Sequence, residues 1–308
     1  MATLYITHPA CHLHDMGEWH PECPARLEAV DEHMAAAGLD SKVAPVQAPE
    51  ASDADILRVH TPGHLEFLKR TSPVSGLAAI DSDTAMNPHT LAAARVAAGA
   101  GLLAVDSLLD GRHRTAFCAV RPPGHHATPD RAMGFCFINN IAVAAAYALD
   151  AGGLERVAII DFDVHHGNGT EDAFADDPRV LMCGFYQHPL YPGVRHEPPA
   201  SNMINIPVEA GTTGLELRQV VSDVWKPALQ AFRPEMLFIS AGFDAHRDDG
   251  LAQLKMTEAD FAWITQQLVT LADRHAQGRI VSMLEGGYNL PALGRSVVAH
   301  IKALSKVE

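Results

Sequence analysis

Short apolar runs alternate with longer Ala-rich or amphipathic segments along most of this chain, and that alternation constrains its fold more than any other feature. Thr115 to Val120, Val157 to Phe162, Val180 to Phe185, Met236 to Ser240 and Ile280 to Leu284 are short and apolar almost throughout, rather than on every second residue. Strands of that kind are buried on both faces, as in a parallel sheet. Between them Pro88 to Leu109, Asn139 to Leu149, Gly214 to Phe232 and Thr257 to His275 carry helical patterns. The expectation is an α/β fold with a mostly parallel sheet covered by helices on both faces. Asn87-Pro88 reads as an N-cap followed by proline at the first helical position, and Thr257 with Asp260 as a capping box.

A chain of 308 residues admits one large α/β domain or two smaller ones. No Pro/Ser/Gly linker and no repeat divides it, so a single domain spanning residues 1–308 is expected. With 47% hydrophobic and 19% charged residues, it has the material for a packed core and is not a disordered chain. The formal charge of −14 argues against nucleic acid as a partner, because phosphate neutralisation needs a basic face. It suits cationic ligands such as lysine-bearing peptides or polyamines.

Five cysteines (Cys11, Cys23, Cys118, Cys136, Cys183) are scattered with no CxxC, which suggests neither a disulfide framework nor a thiolate zinc knuckle. The start MATLYITHPA lacks a basic segment followed by an apolar run, and the longest apolar stretches are interrupted by Arg95, Asp106 or Asn140. A cytoplasmic protein with no membrane span is expected. The Pro-, Gly- and Ser-bearing stretches Thr71 to Met86 and Leu190 to Asn202 suit a pocket rim, and a homo-oligomer is compatible with all of this.

Four polar clusters follow predicted strands. The densest is Asp161-Phe162-Asp163-Val164-His165-His166-Gly167-Asn168-Gly169. Residues two apart in an extended segment point the same way, so Asp163 and His165 can converge beyond the strand end. Most Asp/His loops are merely solvated. Here a second strand empties into Ala241-Gly242-Phe243-Asp244, and the C-terminal edge of an open α/β sheet is where ligands gather. Asp163, His165 and Asp244 together have the stoichiometry of a catalytic zinc site with an open position for water.

The third cluster, Arg121-Pro122-Pro123-Gly124-His125-His126, places adjacent histidines past a strand, where general acid/base work suits them better than core filling. The fourth is Leu284-Glu285-Gly286-Gly287-Tyr288-Asn289. Its glycines permit a sharp turn, and Tyr288 could offer a hydroxyl to a developing oxyanion; taken alone it reads as a turn with a packed tyrosine.

Together RPPGHH, DFDVHHGNGT, SAGFDAHRDD and LEGGYNL resemble the motif set of the histone deacetylase and acetylpolyamine amidohydrolase superfamily, in its bacterial class II branch. With THPACHLHD and HPECPARL near the N-terminus, the resemblance spans nearly the whole chain. It implies an arginase/deacetylase-like sheet of about eight strands and zinc-dependent hydrolysis of an acyl-lysine or related acylated amine. It also assigns roles. Asp163, His165 and Asp244 match the zinc ligands, His125 and His126 the proton-transfer pair, Tyr288 the carbonyl-polarising tyrosine, and Asp161 and Asn168 the partners of the two histidines. Gly134, Phe135 and Tyr191 match the walls of a narrow acyl-lysine tunnel, and Arg26 an arginine near an internal channel.

Leu251 falls where polyamine-selective members carry a glutamate, which opposes an acetylpolyamine substrate, whereas the net acidity mildly favours one. Retention of every chemical residue opposes a silent binding protein, and an imidazole ligand opposes an arginase-like manganese pair. One departure stands out. The family commonly has Ser-x-His-Gln where this chain has Gly184-Phe185-Tyr186-Gln187, so the serine that helps hold a structural potassium ion is absent.

Overall fold

The computed structural model describes residues 2–193 and 200–307. Ten strands occur among them: β1 (Thr3–Thr7), β2 (Val43–Gln47), β3 (Ala78–Ala79), β4 (Ala85–Met86), β5 (Thr115–Cys118), β6 (Val157–Asp161), β7 (Val180–Gln187), β8 (Met203–Val208), β9 (Met236–Ala241) and β10 (Ile280–Leu284). β3 and β4 make a small antiparallel hairpin, and the other eight form one parallel sheet in the order β2-β1-β5-β10-β9-β6-β7-β8. The α/β architecture expected from the sequence is therefore the one observed.

All five strands read from apolar runs are present. Besides the short hairpin β3–β4, those missed are β1 and the two edge strands of the main sheet, β2 and β8, and each edge strand carries a proline, Pro45 or Pro207. Proline withholds a ladder donor, which an edge tolerates and a central strand does not; it also blurs the strand signal.

Helices Thr90–Leu109 and Asn140–Asp150 pack against each other and the sheet; helices Ala25–Ala36, Glu258–His275 and Leu290–Ser305 form a second layer. Phe261, Ile264 and Leu268 of that second layer are fully buried, each contributing about 1.5–3 kcal/mol by leaving water. Thr90–Leu109 is long and apolar enough to cross a membrane, but 67% of its most apolar window is buried in this packing.

Two local expectations need correction. The helix begins at Thr90 with His89 as N-cap, and the Asn87 carboxamide instead accepts from the His89 N–H at 3.0 Å in the preceding turn. The segment 214–232 is not one regular helix but Gly214–Val220, a π-helical turn Val221–Trp225, and Lys226–Phe232. Pro227 has no N–H to return to the preceding turn, so the ladder widens just ahead of it. The Thr257 capping box is present, with the Asp260 carboxylate accepting from Thr257 N at 2.8 Å.

The register positions the functional residues. Cys118 pairs with Met283, Met283 with Ser240, and Ser240 with Asp161, so these residues form one row across four adjacent central strands. Each chain leaves the sheet at that row. The four polar clusters thus emerge side by side at a single C-terminal edge.

Candidate active site

The carboxylates of Asp163 and Asp244 and the imidazole of His165 meet just beyond β6 and β9, with one ligand atom from each lying within 4.8 Å of the others. His165 Nδ1 stands 3.0 Å from Asp163 Oδ1 and 3.2 Å from Asp244 Oδ2. Main-chain donors fix the carboxylates: Gly286 N bonds Asp163 Oδ2 at 2.9 Å and Val164 N bonds Asp244 Oδ1 at 2.9 Å. Both aspartates are buried, and Asp244 Oδ2 has no hydrogen-bond donor among the described residues.

Burial and the charge of Asp163 push the Asp244 carboxyl up to about 7. Burial alone would lower His165, but the adjacent carboxylates of Asp163 and Asp244 reverse that and carry it up to about 10. Two buried carboxylates at this separation need a positive charge between them. A divalent cation satisfies that demand, and the donor set of two oxygens and one imidazole nitrogen fits one.

The tandem histidines emerge after β5 in two different electrostatic settings. His125 Nδ1 faces Asp161 Oδ2 at 2.9 Å. Burial would lower its pKa, but the charges of Asp161 and Asp163 outweigh this and hold it well above the ordinary imidazole value. His126 Nδ1 faces the Asn168 amide oxygen at 2.8 Å, and burial together with His125 and His165 holds its pKa well below that value. The rings lie 4.1 Å apart. An imidazole whose neighbours favour the charged form and one whose neighbours disfavour it therefore sit side by side.

A cavity of about 180 Å³ opens onto this cluster, lined by His126, His165, Gly134, Phe135, Tyr191 and Tyr288, with Leu251, Leu190 and Asp83 completing the wall. Gly134 is required: at φ +56° a Cβ would lie 2.6 Å from the His126 ring and 2.9 Å from Tyr191. Phe135 also adopts positive φ, 67°, an uncommon conformation for an aromatic residue, and its N–H bonds Thr84 Oγ1 at 3.1 Å. That strain presents the ring edge-on to Tyr288, 5.9 Å away. The loop 190–202 contributes Leu190 and Tyr191, while its residues 194–199 lie outside the described residues.

The match to known proteins follows the same span. Residues 20–304 match the histone deacetylase domain. The chain belongs to the histone deacetylase family. A histone deacetylase-like amidohydrolase from Pseudomonas aeruginosa is 35% identical over 92% of this chain and 77% of its own length, and a probable deacetylase from Archaeoglobus fulgidus 34% identical over 94% and 82%. The crystal structure of the HDA15 HD domain superposes with a TM-score of 0.93 at 35% identity, covering 99% of this chain and 88% of that one. The chain is thus a deacetylase-family enzyme acting on acylated amines, and all twelve site residues read from its sequence cluster at, or directly support, one cavity.

Four features of the deacetylase escaped sequence reasoning or go beyond it. Glu285 is a buried carboxylate bonded by Gly124 N at 2.7 Å and His125 N at 3.2 Å, so it fixes the histidine loop; burial pushes its pKa up to about 7. Arg26, in helix Ala25–Ala36, faces the interior. It is fully buried, donates from Nε to Gly287 O at 2.7 Å, and its guanidinium carbon lies 5.0 Å from the Tyr288 ring centroid. Glu22 joins Arg26 to Arg121 beneath the site. Asp249 bonds the Tyr288 N–H at 2.7 Å. These carboxylates stood in quoted motifs or beside them, but nothing in a one-dimensional pattern tells a buried acid from a solvated one.

The departure at Gly184 has a local cause. A Cβ there would lie 2.7 Å from Asn205 Oδ1, because Asn205 pairs with Gly184 across β7 and β8 and folds over it, tethered to Glu171. Tyr186 in turn packs edge-on against His166 at 4.6 Å. Position 184 therefore offers no side-chain oxygen.

Proposed function

We propose that this enzyme hydrolyses the amide bond of an acyl-lysine, or of a related acylated amine, with one zinc ion held by Asp163, His165 and Asp244. The observation that carries this reading is the convergence of those three ligand atoms, within 4.8 Å of one another, beside a cavity walled by His126, Phe135, Tyr191 and Tyr288. Bound zinc would supply Lewis acidity and a water of lowered pKa at that point.

The chain's own groups do the rest. The Asn168 amide oxygen accepts from His126 Nδ1–H, which leaves Nε2 of this neutral ring free to take a proton from water. His125, held cationic by Asp161, can return a proton to the leaving amine. Burial raises the Tyr288 pKa, so its hydroxyl keeps its proton and can donate to the oxygen on which negative charge develops. Phe135 and Tyr191 exclude water around an aliphatic stem, and Gly134 lets that stem pass close to His126.

Leu251 at the cavity wall offers no charge to a distant ammonium and favours acyl-lysine. An acetylpolyamine substrate is the second reading, favoured by Asp83 on the same wall. The test is a hydrolysis panel of acyl-lysine peptides, acetylputrescine and acetylspermidine after loading with zinc, iron or cobalt. Acyl-lysine should show the highest kcat/KM with zinc; a zinc-loaded enzyme that cleaves no acyl-amine would sink the reading. Tyr288→Phe should stay folded and lose roughly 10²–10³ in turnover, as loss of an oxyanion donor does.

A further inference from the structure

Asp249 does not line the cavity, yet it holds two of the residues that do. The residue is only 7% exposed, and its carboxylate is forked between two stretches of main chain. Oδ2 accepts from Tyr288 N at 2.7 Å and Asn289 N at 3.1 Å, while Oδ1 accepts from Leu251 N at 3.0 Å. Tyr288 and Leu251 both face the cavity.

The backbone before Tyr288 has little conformational preference of its own. Gly286 and Gly287 precede it, the latter at φ +123°, and such a pair moves readily unless outside contacts fix it. Arg26 holds Gly287 O from one side. From the other, Asp249 bonds the N–H of Tyr288 itself, the last main-chain group before its side chain.

We propose that Asp249 is a positioning residue for the reaction: through the Tyr288 N–H it sets where the phenol points, and through the Leu251 N–H it ties that setting to the cavity mouth. The proposal rests on the oxyanion role given to Tyr288 above. A carboxylate is needed because both oxygens must accept. Asparagine has the same shape but one accepting face, so its amide group would confront an N–H on either Tyr288 or Leu251.

The test is a double-mutant cycle on the full-length, zinc-loaded enzyme with an acetyl-lysine peptide. Asp249→Asn should lower kcat by roughly 10- to 100-fold, the scale of a sub-ångström to 1 Å misplacement, with KM within about twofold and bound zinc unchanged. In a Tyr288→Phe background the same substitution should change kcat by less than about twofold, because no hydroxyl remains to misplace. Asp249→Ser, which keeps a single acceptor, serves in the same cycle if the asparagine variant does not fold. Unaltered kcat, an undiminished effect in the Tyr288→Phe background, or zinc lost in parallel with activity would each overturn the proposal. Full turnover by Tyr288→Phe alone would overturn it differently, by removing the role that Asp249 serves, and that single variant distinguishes the two failures.

Discussion

Two groups of buried histidines in this enzyme have been given opposite surroundings. At the C-terminal sheet edge His125 and His165 face carboxylates, and His126 faces an amide and open space. In the core His300 lies among Phe117, Phe162 and Phe243, its ring nitrogens bonded to the hydroxyls of Thr265 at 2.7 Å and Ser282 at 2.8 Å. His60 and His64 stack at 4.7 Å beneath the loop that carries Gly134, with main-chain partners at Asn139 and Phe137. Burial disfavours the imidazolium everywhere. At the edge Asp161 and Asp163 overrule it for His125 but not for His126, and in the core burial pushes His300 and His60 down to about 3. What separates a chemical histidine from a structural one is therefore a charged partner, as at His125, or access to the cavity, as at His126, and not depth.

The largest effect expected from this contrast comes from exchanging the same residue in both places. His126→Gln should fold and lose about 10²–10⁴ in kcat, the usual worth of a positioned general base. His300→Gln, which retains a donor and an acceptor toward Thr265 and Ser282, should leave kcat/KM of the zinc-loaded enzyme within about twofold. Steady-state kinetics on one acetyl-lysine peptide makes the comparison. If the core variant proves as inactive as the edge variant, the distinction fails.

Why the edge was legible in sequence and the core was not follows from the same physics. The residues proposed to hold a metal, Asp163, His165 and Asp244, sit at fixed spacings beyond strand ends and so left a readable pattern, as did the paired His125 and His126. His300 stands in an amphipathic helix among Ala299 and Ile301, where any residue of about the right size could pack, and only the structure reveals its two hydroxyl partners. The fold shows a parallel division. Central strands are buried on both faces and betray themselves by composition, whereas β2 and β8 at the edges, with mixed burial and a proline each, do not. Asp249 and Glu285 fall between these cases, since their positions lay in recognisable motifs but their buried main-chain partners come from distant segments.

A smaller effect is expected from the partners than from the rings themselves. Asp161→Asn keeps a hydrogen bond to His125 but removes the negative charge, and turnover should fall roughly 10- to 100-fold, as for other residues that orient and polarise a reacting group. Thr265→Ala removes a partner of the core histidine instead. It should leave turnover unchanged and cost about 1–3 kcal/mol of stability, because a buried nitrogen loses its only Thr265 contact. Single-turnover kinetics alongside urea unfolding separates the outcomes; a catalytic loss in Thr265→Ala would mean that the core ring communicates with the site.

The most gradual effect is on acid stability. The folded-state pKa values of His60 and His300, near 3, lie below the unfolded value of about 6.5, and burial lowers His64 in the same direction. Between those limits the unfolded chain binds protons that the folded chain refuses. Stability is therefore fully present above about pH 6.5 and falls as the pH drops toward 3, by about 1.4 kcal/mol per pH unit for each such histidine. Urea unfolding of the wild type and His300→Gln at pH 7, 6 and 5 should show the variant weaker at neutral pH but with the shallower slope, so that the gap narrows on acidification. Parallel slopes would mean that His300 takes up its proton without unfolding, and that its apolar cage tolerates the charge after all.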